Sequence, residues 1–370
     1  MKTLFIATKH NNFCGGEVCT LRNRSILQDI LGSNSVTEVR IARNNSLKEK
    51  HRLLWFGQGF FNDLRMCSIS GIDSKQFDNI KHIICTERIE LVFLDSSLLG
   101  LLAKKIKQQY PTVKIITFFH NIEYLYYKRE LDISQNVILR YLLPIIRKNE
   151  QTACLYSDAV ITLNERDSQQ LHSLYGRKAD YSIPITLEDR LPSSPIDRDE
   201  TDKRPPNMLF VGSYFSMNIE GIRHFVQHIL PHTQAKLTIV GTGMKQLEER
   251  IRKNERIELF DYVEDLSKLY EEADFVVIPI YSGSGMKVKT AEALMYGKYI
   301  IGTPEAFTGY SISPETGKLC TNDQKFIEAI NRCSQRGFNP ASRELFLKKY
   351  SNLHAKEVFK EMIAHLNEPT

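Results

Sequence analysis

The stretch from Ile280 to Gly297 carries the residue types that hold a diphosphate. It reads Ile-Tyr-Ser-Gly-Ser-Gly-Met-Lys-Val-Lys-Thr-Ala-Glu-Ala-Leu-Met-Tyr-Gly and joins an apolar run to a helical pattern. Gly283, Ser284 and Gly285, with Met286 behind them, free backbone amides at the start of that helix, where the peptide dipoles favour an anion. Lys287 and Lys289 add two positive charges. Glu292 falls about one turn further on, where a carboxylate can accept two hydroxyl hydrogen bonds, as from a ribose diol. The bland alternative is a tight turn followed by a solvated Lys-Lys-Glu face. Gly-Ser-Gly alone leaves the two readings level. Two lysines, a glutamate and the strand-to-helix context tip them toward a nucleoside diphosphate.

Two further candidates lie in the first half. Gly15-Gly16 follows an apolar run at Thr3 to Ala7, and a glycine pair is also what any turn uses. His120 ends another apolar run in Phe118-Phe-His-Asn-Ile-Glu123. A lone histidine at a strand end is usually structural, so its context has to argue for it. Three patterns carry less. Asp197-Arg-Asp199 has the form of a metal-binding Asp-x-Asp but sits in a proline-rich, charged tract. His224, His228 and His232 recur at zinc-like spacing, yet Pro231 breaks the last turn and no acidic or cysteine ligand adjoins them. Gly241-Thr-Gly243 lacks the third glycine of a dinucleotide fingerprint.

The elements that position these residues alternate. Strands are expected at Thr3–Ala7, Glu90–Leu94, Val113–Phe119 and Ala159–Leu163, with helices at Arg22–Leu31, Leu98–Gln109 and between Asn164 and Gly176. In the second half, strands are expected at Met208–Val211, Lys236–Val240, Ile257–Phe260, Phe275–Pro279 and Lys298–Gly302. Helices are expected at Gly221–Ile229, Met244–Asn254, Asp265–Glu271 and Lys289–Tyr296, and Ser342–Leu366 is helical in pattern. Strand–helix alternation implies right-handed crossovers and parallel sheets with helices on both faces. Pro192-Ser-Ser-Pro195, a charged run at 197–204 and Pro205-Pro206 mark a linker. The expected fold is α/β: two doubly wound, Rossmann-like domains facing a cleft, with ligands at the carboxyl ends of the strands.

Several of these segments, in order, resemble the retaining, nucleotide-sugar-dependent glycosyltransferases of GT-B fold, family four in type. The Gly283–Glu292 stretch is similar to that family's Gly-x-Gly-x-Arg/Lys-x-Lys-x-x-Glu-Ala segment. Phe210-Val-Gly-Ser213 with Asn218 and Gly221 resembles its domain opener, and Leu237 to Gly243 its second strand and loop. Phe260-Asp-Tyr-Val-Glu-Asp-Leu266 resembles the segment whose backbone meets the nucleotide base. Leu269-Tyr-Glu-Glu-Ala-Asp274 with Pro279 precedes the phosphate loop as in that family. In the first half, Gly15-Gly16, the His120 segment and Ser157 to Asn164 match more weakly.

The resemblance implies donor binding by Gly15, Gly16, Ser213, Val263, Ser284, Gly285, Met286, Lys287, Lys289 and Glu292. It places His120 against the transferred sugar, as the catalytic candidate. It implies an acceptor-side domain over 1–191, a linker over 192–206, a nucleotide-sugar domain over 207–345 and a C-terminal helix over 346–370 that crosses back. It implies transfer of a hexose-type sugar, with retention, to a saccharide or lipid-linked saccharide, as in surface polysaccharide synthesis. No metal and no cofactor is expected beyond the nucleotide diphosphate sugar as co-substrate. Two departures bear on the donor. Ser284 stands where many members carry a first glutamate, eight residues before Glu292. The stretch from Ser213 to Ile219 lacks the Arg and Lys often placed near the phosphates. The alternatives are an epimerase or phosphorylase of the same fold, or a non-catalytic nucleotide-sugar binder.

Composition fits this picture. The chain has 370 residues, 42% hydrophobic and 25% charged, with 49 basic against 44 acidic side chains. That is globular, long enough for two domains and too mildly basic for a nucleic-acid-coating protein, so no nucleic-acid partner is expected. No apolar run reaches the roughly 18 residues of a membrane span. The seven cysteines form no CxxC pair and read as reduced thiols of a cytoplasmic protein. Between Leu98 and Glu150 nine Lys or Arg face four acids, with Tyr124, Tyr126, Tyr127 and Tyr141 interleaved. Such a region suits an anionic membrane surface, peripheral on the inner face of the plasma membrane, or else a surface helix pair packed on the core.

Overall fold

Short runs that are apolar on both faces become inner strands of parallel sheets, because helices cover both sides. Leu4, Phe5, Ile6 and Ala7 are fully buried, and so are Leu91, Val92, Phe93 and Leu94. A computed structural model describes residues 1–9, 15–42, 72–191, 204–283 and 285–368. Ser284, Asp197, Asp199 and most of the expected linker lie outside these. The chain divides into two units, Met1–Pro184 with Lys356–Thr370, and Ile185–Ala355.

The first unit runs β1 (Thr3–Lys9), α1 (Gly15–Leu31), β2 (Val36–Ala42), α2 (Ser74–Thr86), β3 (Leu91–Leu94), α3 (Gly100–Gln109), β4 (Lys114–Phe119), α4 (Glu123–Ser134), α5 (Val137–Tyr156), β5 (Ala159–Thr162), α6 (Glu165–Tyr175) and β6 (Tyr181–Ser182). Its strands are parallel in the order β2-β1-β3-β4-β5-β6. The helix ends follow local rules. Asn164 caps α6 by accepting from the Asp167 amide, and Gly176 closes it in the left-handed region at φ 77°. Gly100 lets α3 and α5 touch, since a Cβ there would lie 1.9 Å from the Asn149 carbonyl oxygen.

The second unit runs β7 (Asn207–Val211), α7 (Ser216–His224), β8 (Lys236–Val240), α8 (Glu249–Arg252), β9 (Ile257–Phe260), α9 (Ser267–Glu272), β10 (Phe275–Ile278), α10 (Val288–Met295), β11 (Ile300–Gly302), β12 (Gly317–Leu319), α11 (Asp323–Asn331) and α12 (Pro340–Leu345). Its strands, also parallel, are ordered β12-β11-β10-β7-β8-β9. The last helix, α13 (Asn352–Asn367), contributes to the first unit from Lys356 onward, where Phe359 packs on Phe93 at 5.9 Å.

Two helical expectations come out differently. The Met244–Asn254 helix is replaced by a short turn at Met244–Gln246, an extended Leu247 and the one-turn α8. Between Glu248 and Asn254 only Ile251 is buried among the described residues, so the packing that stabilises a short helix is thin. The Ser342–Leu366 run is broken at Ser351, which is extended. There the Leu187 amide donates to the Tyr350 carbonyl and the Asn352 amide to the Leu187 carbonyl, both at 2.9 Å. This parallel bridge diverts the chain between α12 and α13.

Candidate functional site

The second sheet reverses direction of growth between β7 and β10. In an open α/β sheet that switch point opens a crevice at the carboxyl ends of the two strands. The segments that leave β7 and β10 there are Gly212-Ser213 and Ile280–Lys287, so the sheet itself delivers the glycine loop to the crevice. Gly283 and Gly285 have φ of 152° and 65°. A Cβ on Gly283 would sit 3.1 Å from the Lys287 ammonium, so the glycine makes room for that side chain. Gly285 and Met286 are buried. No described side chain caps the start of α10 at Val288 and Lys289, while the Thr290 amide donates to the Lys287 carbonyl at 3.0 Å.

The two lysines have different surroundings. Lys287 donates to Glu305 Oε1 at 2.7 Å and to the Gly285 carbonyl at 3.0 Å, and the pair is mostly enclosed. Lys289 donates to Asn218 Oδ1 at 2.7 Å and lies 4.3 Å above the Phe210 ring. Asn218 is fixed in turn by donating to the Ser213 carbonyl at 2.8 Å. Burial, with Lys287 close by, brings the Lys289 ammonium down to about 7, and only Glu292 pulls the other way. Gly212 is part of this fit. A Cβ there would stand 2.8 Å from the Lys289 nitrogen and 2.9 Å from the Asn218 amide nitrogen.

Glu292 Oε2 accepts from the Tyr270 hydroxyl at 2.9 Å. Burial pushes this carboxyl up, against the hydroxyl, Arg190 and Lys289. Tyr270 stacks on Tyr296 at 4.3 Å, which gives the carboxylate a rigid backing. Ser213 is exposed on the β7 side, and Val263 is half-buried in the segment after β9. Ser213, Gly285, Met286, Lys287, Lys289 and Glu292 thus all belong to the segments leaving β7 and β10. Val263 leaves the far edge of the sheet.

The other candidates belong to the first unit. Gly15 and Gly16 are the first residues of α1, exposed and half-buried. His120 follows β4, beside Asp95, which follows β3. His120 Nε2 lies 3.1 Å from both the carbonyl oxygen and Oδ2 of Asp95. Asp95 is fully enclosed and also accepts from Asn23 Nδ2 at 2.7 Å and from the Thr20 hydroxyl, both on α1. Burial opposes a charge on His120, but the Asp95 carboxylate and Cys19 raise the imidazole to about 10. Asp95 thus favours the charged, donating form of the His120 imidazole. Its Nδ1 is buried without a hydrogen-bond partner.

A second buried acid shapes the loop after His120. Glu150 on α5 accepts from the Glu123 amide at 2.8 Å and the Tyr124 amide at 3.2 Å, the start of α4. It also accepts from Tyr175 at 2.7 Å and Ser97 at 3.2 Å. Burial raises its carboxyl to about 7. Since Ile122 offers α4 no side-chain cap, Glu150 caps the helix from its neighbour.

Sequence reasoning passed over Asp95, Tyr270, Glu305 and Glu150. Asp95 had a signal, because it ends an apolar run just as His120 does. Glu305 had none. The zinc-like histidine spacing has another use. His224 pairs with Asp323 at 2.8 Å and packs on His228. No group of three or more His, Cys, Asp or Glu able to hold a metal ion occurs among the described residues.

Comparison with known proteins adds three findings. Residues 205–336 match the family model described as "Glycosyl transferases group 1". A Klebsiella pneumoniae protein described as "Uncharacterized 44.6 kDa protein in cps region" is 22% identical over 264 residues, which span 65% of each chain and so just under two thirds of that relative. Among solved structures, Anabaena HepE in complex with UDP aligns over 99% of this chain and 100% of its own, at TM-score 0.66 and 12% identity. A glycosyltransferase from Rickettsia africae aligns over the whole of both chains at TM-score 0.62 and 14% identity. At such identities the likeness establishes the fold, which is the GT-B fold of these glycosyltransferases.

Proposed function

We propose that this chain is a glycosyltransferase that moves a hexose-type sugar, with retention, from a nucleoside diphosphate sugar to a saccharide or lipid-linked saccharide. The observation that carries the reading is the cation and amide cluster at the β7/β10 switch point, with Glu292 one turn along the same helix. Departure of a nucleoside diphosphate builds negative charge on its terminal phosphate. Lys289 and the first amides of α10 would oppose that charge from preorganised positions, where such groups are most effective. Lys287 is already paired with Glu305, so it shapes the loop, and Lys289 is the principal cation. Glu292, backed by Tyr270, accepts from the ribose hydroxyls. His120, its Nε2 held by Asp95, lies against the transferred sugar, with Gly15 and Gly16 allowing close backbone approach.

Since Anabaena HepE is found in complex with UDP and with UDP-glucose, uridine diphosphate sugars are the first donors to try. The group 1 match and the relative from a cps region support a saccharide acceptor. The reaction needs no metal in this reading. Peripheral association with the inner face of the plasma membrane, through the 98–150 region, completes it for a lipid-linked acceptor.

The test is turnover. Purified protein is incubated with UDP-sugars and saccharide acceptors in EDTA, and released UDP and the glycosylated product are followed by mass spectrometry. The anomeric configuration of the product is read by NMR. Transfer with the donor's configuration supports the reading. A donor converted without acceptor would identify an epimerase, and a donor bound but never consumed would identify a non-catalytic binder.

A further inference from the structure

Helix α5 is apolar on two opposite sides. Its inner side places Leu139, Leu142, Ile146 and Ala153 in the core. Its outer side should then be polar, as for any helix lying on a water-soluble domain. Instead Val137 and Tyr141 are 64% and 62% exposed, Leu155 is 69% exposed, and Pro144 is exposed between them. The intervals from 137 to 141, 144 and 148 are helical, so these residues form one stripe. Lys148 closes it, and Arg140 and Arg147 border it, all three exposed. From Val137 to Asn149 the helix carries no acid.

The stripe is narrower than the basic region from which it comes. Lys107 is paired with Asp158 at 2.7 Å. Lys104 and Lys105 lie over the Tyr156 and Phe77 rings at 5.7 and 4.9 Å. These α3 lysines are held by their own unit, and Arg147 likewise lies over the Tyr124 ring at 5.5 Å, whereas Arg140 and Lys148 border exposed apolar side chains.

We propose that this outer face of α5, formed by Val137, Arg140, Tyr141, Pro144, Arg147 and Lys148, docks on an anionic lipid surface. The partner must offer apolar contact and negative charge together, which is what the boundary of an acidic-lipid bilayer offers. A second copy of the chain fits poorly, because a two-fold contact would set Arg140, Arg147 and Lys148 against their own kind. The proposal rests on the peripheral association proposed above and gives it an address.

The experiment is cosedimentation with vesicles of phosphatidylcholine alone or mixed equally with phosphatidylglycerol. Binding is expected to the mixed vesicles and not to pure phosphatidylcholine, and it should fall with salt. Each of Arg140→Gln and Lys148→Gln should weaken it about fivefold, the worth of one interfacial cation. Val137→Ser with Tyr141→Ser should weaken it further, because the apolar contact goes. These residues are exposed, so melting temperature and UDP binding should match wild type, which separates failure here from failure of the donor site. Equal binding to both vesicle types, no binding, or variants that bind like wild type would overturn the proposal. So would a concentration-dependent dimer abolished by Tyr141→Ser.

Discussion

Lys289 is held in a state from which a diphosphate would rescue it. Burial and Lys287 bring its ammonium down to about 7, so near neutral pH a large share of the free protein carries it uncharged. A bound diphosphate favours the cation, so above pH 7 donor binding takes up a proton. The sign follows. Donor affinity should be flat below about pH 7 and fall as pH rises above it, by up to about tenfold per unit. Lys289→Met should bind more weakly and lose this slope. Calorimetric titration with UDP across pH 7–9 checks it, and an equal slope in wild type and variant would refute the assignment. Asp95 makes the opposite arrangement, holding His120 charged at about 10. That pair stabilises the fold fully below the ordinary imidazole range and loses its effect as pH rises toward 10. Asp95→Asn should bring the His120 titration below the ordinary imidazole range, as read by NMR, because burial then acts without the carboxylate to offset it, and should cost about 3–5 kcal/mol on melting, since it breaks a buried pair. An unchanged titration would remove Asp95 from its role.

At the scale of elements, the start of α4 depends on α5. Glu150 caps two amides of α4 from inside the core, and Tyr175 ties the same carboxylate to α6. Glu150→Ala should strip those amides of their acceptor and lower stability by about 1–3 kcal/mol for each group left unsatisfied. The segment after His120 should also lose hydrogen-exchange protection. Protection equal to wild type at Glu123 and Tyr124 would contradict the capping role. The strand–helix alternation was legible because inner strands are continuous apolar runs bounded by glycine and proline. So was the Gly283–Glu292 loop, whose chemistry lies within one contiguous stretch. The Asp95–His120 pair was not, since 25 residues separate its members and only the neighbouring registers of β3 and β4 join them. The Lys287–Glu305 and Tyr270–Glu292 contacts were hidden for the same reason. The break at Ser351 came from a bridge to Leu187, which no local pattern announces.

On the scale of the whole molecule, each unit builds its polar cluster at the carboxyl ends of parallel strands beside its own switch point, between β1 and β3 in the first and β7 and β10 in the second. The two clusters are chemically unlike. The first presents a buried acid holding a histidine, and the second presents lysines, amides and a carboxylate suited to a nucleotide. The diphosphate site is tested most directly by calorimetric binding of UDP, GDP and ADP in EDTA, to wild type and to Glu292→Ala. One nucleoside diphosphate should bind without metal, and Glu292→Ala should weaken it by about 1.5–3 kcal/mol, the range for a hydrogen bond to a charged group. No binding of any of the three, with EDTA or with Mg²⁺, would contradict the diphosphate site at Lys289, and unchanged affinity in Glu292→Ala would contradict the ribose contact.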